Sequence, residues 1–201
     1  ELVETYDRVG ITLPAAPPFV GRERARRVLR QAFGEAEIAR ASLVLICGEP
    51  GVGKTRLLDE LAAELQRDDR ALLVRGTYLR GRSESGLRTA LAGLARVLPA
   101  DPLAPTPARI RERVLKRTGP LAGLLLAYVP AMQALIDPHA ELPEIDEGAS
   151  KSGARALDGG ISRRIVTVAD AIRSIGSHER PLVILLDEVQ LADHGSLAIL
   201  R

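Results

Sequence analysis

The chain has no tryptophan, and only three Tyr and two Phe stand among its 201 residues, so aromatic pegs do not build its core. Nearly half of the residues are hydrophobic all the same. Leu, Ala, Val and Ile must supply the interior, which suits helices stacked on a sheet better than a sandwich of aromatic-rich strands. A single cysteine, Cys47, excludes an internal disulfide framework and a cysteine-rich zinc site. The three histidines, His139, His178 and His194, share no metal-ligand spacing. There is no large excess of one charge: 28 basic residues face 26 acidic ones, a net +2, which argues neither for nor against a nucleic-acid partner. No secretory leader opens the chain, since ELVETYDRVG is charged and has no apolar centre. The longest uncharged run, residues 118–136, only marginally reaches spanning length and is interrupted by Pro130; it reads as a pair of buried or groove-lining helices rather than a membrane span. The expectation is a soluble protein of a reducing, cytoplasmic compartment with no membrane partner.

What is present has the length of one large domain. The chain begins without methionine and stops in mid-pattern at SLAILR, so a piece of a longer protein is expected. Residues 1–18, with the proline-rich ITLPAAPPF overlapping their end, read as a linker. Helical periodicity follows over 21–33, with Ala25, Val28, Leu29, Ala32 and Phe33 on one stripe and arginines opposite. Those arginines read as a solvated face, with a nucleic-acid patch as the alternative. SLVLIC, residues 42–47, is a short apolar run of the kind that forms a strand covered on both faces, and it makes Cys47 a core residue with redox sensing as the alternative. Residues 55–67 are helical, 70–76 a second strand, 86–98 a further helix. PADPLAPTP is a loop, and Pro107 starts the helix PARIRERVLKRT. The apolar helix pair comes next, then a polar connector to residue 160, resumed helical spacing from Ile161, and the apolar strand PLVILLDE. The order of strand, glycine loop, helix, strand, helices and strand predicts an α/β layered domain with a mainly parallel sheet.

Two motifs carry chemistry. GEPGVGKT, residues 48–55, satisfies G-x-x-x-x-G-K-[ST] between a predicted strand and a predicted helix. A phosphate chain needs many donors close around it. Glycine lacks the Cβ that would block backbone approach and permits positive φ, so successive N–H groups can point into one concavity at the positive end of a helix dipole. Lys54 then reaches the β- and γ-phosphates and the Thr55 hydroxyl ligates Mg²⁺. A plain helix-capping turn would need neither residue. In LVILLDEVQ, five apolar residues lead to Asp187 and Glu188; a carboxylate at the tip of a buried strand can hold the Mg²⁺ shell, and its neighbour can polarise an attacking water. Without the glycine loop, that pair would read as a solvated strand end.

FVGRE at 19–23, GEPGVGKTRLLDEL at 48–61 and PLVILLDEVQLADHGSLAIL at 181–200 resemble the AAA-type ATPase domain of the STAND class, also described as Orc1-like. Such domains occur in large bacterial signalling proteins: LuxR-type transcription regulators, serine/threonine or hybrid histidine kinases, and class III nucleotide cyclases. The resemblance is close over about 19–75 and 161–201 and loose between them. It implies a three-layer P-loop NTPase over 19–201, cut short at its C-terminus, with a helical insertion and mobile connector at 99–160 between the second strand and the Walker B strand. It also implies that Val20, Gly21 and Arg22 lie near the adenine. The phosphates then contact Gly48, Glu49, Pro50, Gly51, Val52, Gly53, Lys54, Thr55 and Arg56, while Asp187 serves Mg²⁺ and Glu188 activates water. Ala25 stands where the family often has a second glutamate, and Leu191 where it has tryptophan; Gln190 and Asp193 match the family pattern, and can equally be a polar loop. ELVETYDRVG is similar to the closing strand of a class III cyclase domain, so a cyclase or kinase module is an expected neighbour.

The expectation is a regulatory module that binds ATP and hydrolyses it with Mg²⁺, slowly or incompletely in this piece. ATP is preferred to GTP by the resemblance and by the absence of an N-K-x-D guanine-reading motif. Its expected partners are ATP or ADP, covalently attached effector domains and, depending on nucleotide, further copies of itself. The alternatives are a DNA-binding initiator or regulator module licensed by ATP, and a non-hydrolysing interaction scaffold.

Overall fold

The computed structural model describes residues 20–38, 41–81, 86–98, 106–136 and 154–201, with the side chains of 37 and 154–162 left aside. The expected linker 1–18, most of the loop at 99–107 and the connector as far as residue 153 lie outside the described residues. The element order is α1 (Glu23–Glu37), α2 (Lys54–Asp68), β1 (Leu72–Thr77), α3 (Leu87–Val97), α4 (Pro107–Thr118), α5 (Ala122–Tyr128), α6 (Gln133–Ile136), α7 (Ala154–Ile175), β2 (Leu182–Asp187) and α8 (His194–Ile199). Single 3₁₀ turns at Gly119–Leu121, Pro130–Met132 and Val189–Leu191 join several of them. The expected apolar helix pair is thus broken into α5 and α6 by Pro130, whose ring removes an amide donor from the middle of the run. α7 begins at Ala154, seven residues before the periodicity from Ile161, so part of the expected connector is helix.

β1 and β2 pair in parallel, in the register Leu72↔Leu182 through Thr77↔Asp187. SLVLIC is the main departure from the sequence expectation. Residues 41–49 form no regular element and have no ladder partner among the described residues, and Leu43 and Leu45 are each 69% exposed. Apolar character makes a segment suitable for a sheet, but a strand exists only where a second backbone takes its N–H and C=O groups. Cys47 is exposed for the same reason, which corrects its expected place in the core.

The core lies where α3 covers β1 and β2, and where α4 and α5 pack with α7 while α6 packs on α4. Leu87, Ala90, Leu91 and Leu94 form the buried stripe of α3; Ile110, Val114 and Thr118 form that of α4. Leu125, Leu126, Met132, Ile136, Val168 and Ile175 are all within 1% of full burial. Thr106 caps α4, its hydroxyl accepting from the Arg109 amide at 3.4 Å, with Pro107 just inside the helix as its fixed φ allows. The Arg113 guanidinium donates to the carbonyls of Ile175, at 2.6 Å, and Gly176, at 3.2 Å, so α4 ties down the end of α7 just before β2. Burial, and then the charge of Arg109, push the Arg113 pKa below its ordinary value.

α1 stands apart from this core and rests on α2. Leu29 is its one buried large side chain among the described residues; Val28, on the predicted stripe, is largely in solvent. Charge holds the pair instead. Arg30 Nε and Nη2 donate to the two carboxylate oxygens of Glu64 at 2.6 and 2.9 Å, and Arg26 reaches the same carboxylate at 3.5 Å.

Candidate nucleotide site

The site forms where the glycine loop meets the carboxyl end of β2, the edge at which open parallel sheets place their ligands. The loop turns at Glu49, whose carbonyl accepts from the Val52 amide at 3.5 Å. Gly51 and Gly53 both take positive φ, +79° and +87°, which a side chain would strain. Gly53 is the N-cap of the fifteen-residue α2, and no side chain caps that end and no acidic residue stands in its first turn. The first amides of α2 therefore face the loop with the positive end of the helix dipole behind them.

Lys54 folds back across this loop, donating from Nζ to the carbonyls of Gly48 at 3.0 Å and Glu49 at 2.9 Å. An ammonium group has three protons, so one remains for an anion beyond the two carbonyls. The Thr55 hydroxyl donates to Asp187 Oδ2 at 2.8 Å, across 132 residues of sequence. The other oxygen of Asp187 accepts the Glu188 amide at 2.9 Å. Glu188 is exposed, and one of its carboxylate oxygens accepts from the Gln190 side-chain amide.

Of the non-glycine residues described, Arg22, Asp69 and Glu188 have positive φ, and two of these three lie in this site. A left-handed backbone costs a residue with a Cβ roughly 1–2 kcal/mol, so contacts around it must hold it there. Arg22, at φ 61°, donates from its guanidinium to the carbonyl of Val52 in the loop. That contact brings the FVGRE segment to the glycine loop. Val20 remains 79% exposed, so the segment meets the loop through arginine rather than through its apolar residue. Arg56 is drawn the other way, into an ion pair with Glu60 one turn along α2 at 3.0 Å.

Two oxygen ligands, a hydroxyl and a carboxylate, suit a hard divalent cation that keeps most of its shell from water and phosphate. Neighbouring ligands of an octahedral Mg²⁺ are about 2.9 Å apart, given bond lengths of about 2.0–2.1 Å. The Thr55–Asp187 separation of 2.8 Å fits that spacing. Among the described residues no group of three or more His, Cys, Asp or Glu could hold a metal by itself.

A phosphate-loop lysine, a following hydroxyl and a strand-end carboxylate pair thus share one edge of the sheet. The AAA ATPase domain family matches residues 18–201. The chain belongs to this family. No curated protein and no solved structure matches it. An AAA ATPase domain is a P-loop NTPase and binds nucleotide, in keeping with the helix-rich α/β architecture and the small parallel sheet. No helix among the described residues of this AAA domain is long and apolar enough to cross a membrane.

Motif reading leaves three residues of the neighbourhood unmentioned or unpaired. Ser196 stands three residues after Asp193, an N-cap residue readable in sequence; its amide donates to Asp193 Oδ1 at 2.8 Å. Tyr128 meets Ser196 at 3.2 Å from a helix 68 residues earlier, and no local pattern announces it. Glu64, which seats α1 and so the FVGRE segment, reads in sequence as one more solvated charge on α2.

Proposed function

We propose that the chain is an ATP-binding and ATP-hydrolysing regulatory module of the Orc1-like, STAND-class kind. Its setting is a cytoplasmic, multidomain signalling or transcription-regulating protein. The observation that carries this reading is the hydrogen bond between Thr55 and Asp187, because it joins the phosphate loop to the carboxylate strand as hydrolysis requires. In this reading residues 19–201 are part of the ATPase domain, 99–160 a helical insertion with a connector, and 1–18 a linker from a preceding module.

The backbone amides from Gly48 to Thr55 receive the phosphates, and Lys54 exchanges its carbonyl partners for β- and γ-oxygens. Thr55 and Asp187 hold Mg²⁺, which when bound offsets charge on the phosphates. Glu188 orients and deprotonates a water in line with the γ-phosphate. Val20, Gly21 and Arg22 contribute the adenine side. Arg56 stays with Glu60 and supports α2. The ATP and ADP states then bias the arrangement of attached effector domains, and of neighbouring copies, through γ-phosphate contacts.

The test is Mg-ATP affinity, measured by calorimetry on wild type and Lys54→Ala. The variant is expected to bind at least about tenfold more weakly, roughly 1.4 kcal/mol. Equal affinity removes the reading.

A further inference from the structure

Glu188 keeps a left-handed backbone, at φ 56° and ψ 37°, within a short turn, and the contacts around the turn have to hold it there. Locally, Asp187 Oδ1 accepts the Glu188 amide at 2.9 Å, the Leu191 amide donates to the Glu188 carbonyl at 2.9 Å and the Ala192 amide to the Val189 carbonyl at 3.0 Å. Asp193 follows directly and caps α8, and there the segment meets another helix. We propose that Tyr128 is a positioning residue for the catalytic turn, its hydroxyl tying the helical module through Ser196 and Asp193 to the segment that carries Glu188. The inference rests on the ATPase reading for the role of Glu188 and on hydrogen bonding for the tie itself.

Proton direction follows from the donors available. A carboxylate only accepts, so the single hydroxyl proton of Ser196 goes to Asp193 Oδ2 at 2.7 Å. Ser196 Oγ is then left as an acceptor, and Tyr128 must be the donor across their 3.2 Å contact. Burial pushes the Tyr128 phenol above its ordinary pKa, which keeps its proton in place for this bond. The Ser196 residue is 2% exposed, so water does not readily replace the phenol. The helix cap needs only Asp193 and the Ser196 amide. The third member adds reach, because Tyr128 ends α5 beside the fully buried Leu125, Leu126 and Met132. A shift of α5 is thereby felt at Asp193, five residues after Glu188 and directly past its turn.

The test uses the complete chain with Tyr128→Phe, Ser196→Ala and the double variant. Tyr128→Phe is expected to lower kcat by about fivefold, the size of one net hydrogen bond, with Mg-ATP affinity and KM changed less than about twofold. The double variant should be no slower than the worse single one, because the chain acts as a unit. Amide exchange at Leu191, Ala192 and Leu197 should quicken in Tyr128→Phe while that at Leu57 in α2 holds. An unchanged kcat in an enzyme that turns over, a kcat loss matched by lost affinity, or additive losses in the double variant would each overturn the proposal. So would unchanged exchange at the three amides, whatever the turnover does. A wild type that binds Mg-ATP and never hydrolyses it would remove the hydrolysis reading, and the exchange comparison would still decide the tie.

Discussion

In the proposed reaction Lys54, Thr55 and Glu188 act on different stages, and their variants should separate accordingly. Lys54 and the loop amides supply charge to the phosphates, so Lys54→Ala acts on binding. In the proposed site Thr55 supplies a cation ligand from α2, and its partner Asp187 is 2.8 Å away at the end of β2. Thr55→Val should leave ATP binding without Mg²⁺ near wild type and raise the Mg²⁺ concentration needed for half-maximal turnover by at least about tenfold, since one of the two protein oxygens is lost. A Mg²⁺ titration of the ATPase rate checks this. Glu188 is bonded to Asp187, to Gln190 and within its own turn rather than to the glycine loop. Glu188→Gln should therefore keep Mg-ATP affinity within about twofold and reduce turnover by about 10²–10⁴, the usual share of a general base. Single-turnover hydrolysis beside equilibrium binding measures both.

Among the elements, α1 depends on charge for its seat. The hydrogen bond from Arg30 holds the Glu64 carboxyl below the usual carboxylate range; burial opposes this, while the charge of Arg30 and the bond from Arg26 add to it. The sign follows from that depression. The contribution is full above the ordinary glutamate value of about 4.3 and is lost as pH falls through the lower value of the folded state. On a Cys47→Ser background, spin labels at the exposed positions Arg24 and Gln66 should keep one narrow distance at neutral pH and broaden only in that acidic window. Glu64→Gln should broaden them at neutral pH already. Because α1 follows directly on Arg22, which contacts the loop at Val52, the same variant should weaken Mg-ATP binding a few-fold.

The tip of β1 shows a different kind of constraint. A Cβ on Gly76 would lie 2.0 Å from the Gly86 carbonyl oxygen, and one on Gly86 would lie 2.4 Å from the Tyr78 ring. Backbone thus packs on backbone where α3 begins. Gly76→Ala should destabilise the fold by about 1–3 kcal/mol or more through overpacking, read as a lower denaturation midpoint.

The whole molecule is held by the helical module gripping both ends of β2. Arg113 fixes the end of α7 that leads into the strand, and Tyr128 meets Ser196 beyond its exit. Truncating the shared core should weaken everything together: Leu126→Ala, at a side chain 1% exposed, should cost about 2–5 kcal/mol in a single transition. Leu45→Ala, at a residue 69% exposed, should fall within about 0.5 kcal/mol of wild type. Urea unfolding of the two variants in parallel makes the comparison, and it also tests directly the exposure of Leu45 in the apolar 41–49 segment.

The amino-acid sequence by itself determined the parts whose cause is local. Helical spacing in α2, α3, α4 and α7 is a property of neighbouring side chains, and the glycines of GEPGVGKT announce a loop because only they accept its positive φ without strain. The candidate residues of the glycine loop and the carboxylate strand were readable for the same reason, as two motifs of fixed spacing, while Val20, Gly21 and Arg22 were expected only from the family resemblance. Only the tertiary structure decided what depends on a partner far along the chain. It left SLVLIC without a ladder among the described residues, although its composition is that of a buried strand, because pairing belongs to two segments and not to one. It joined Thr55 to Asp187, turned Glu64 from a surface charge into the seat of α1, and brought Tyr128 to Ser196. Each of those contacts spans tens of residues, and no periodicity in a single stretch encodes the meeting of two.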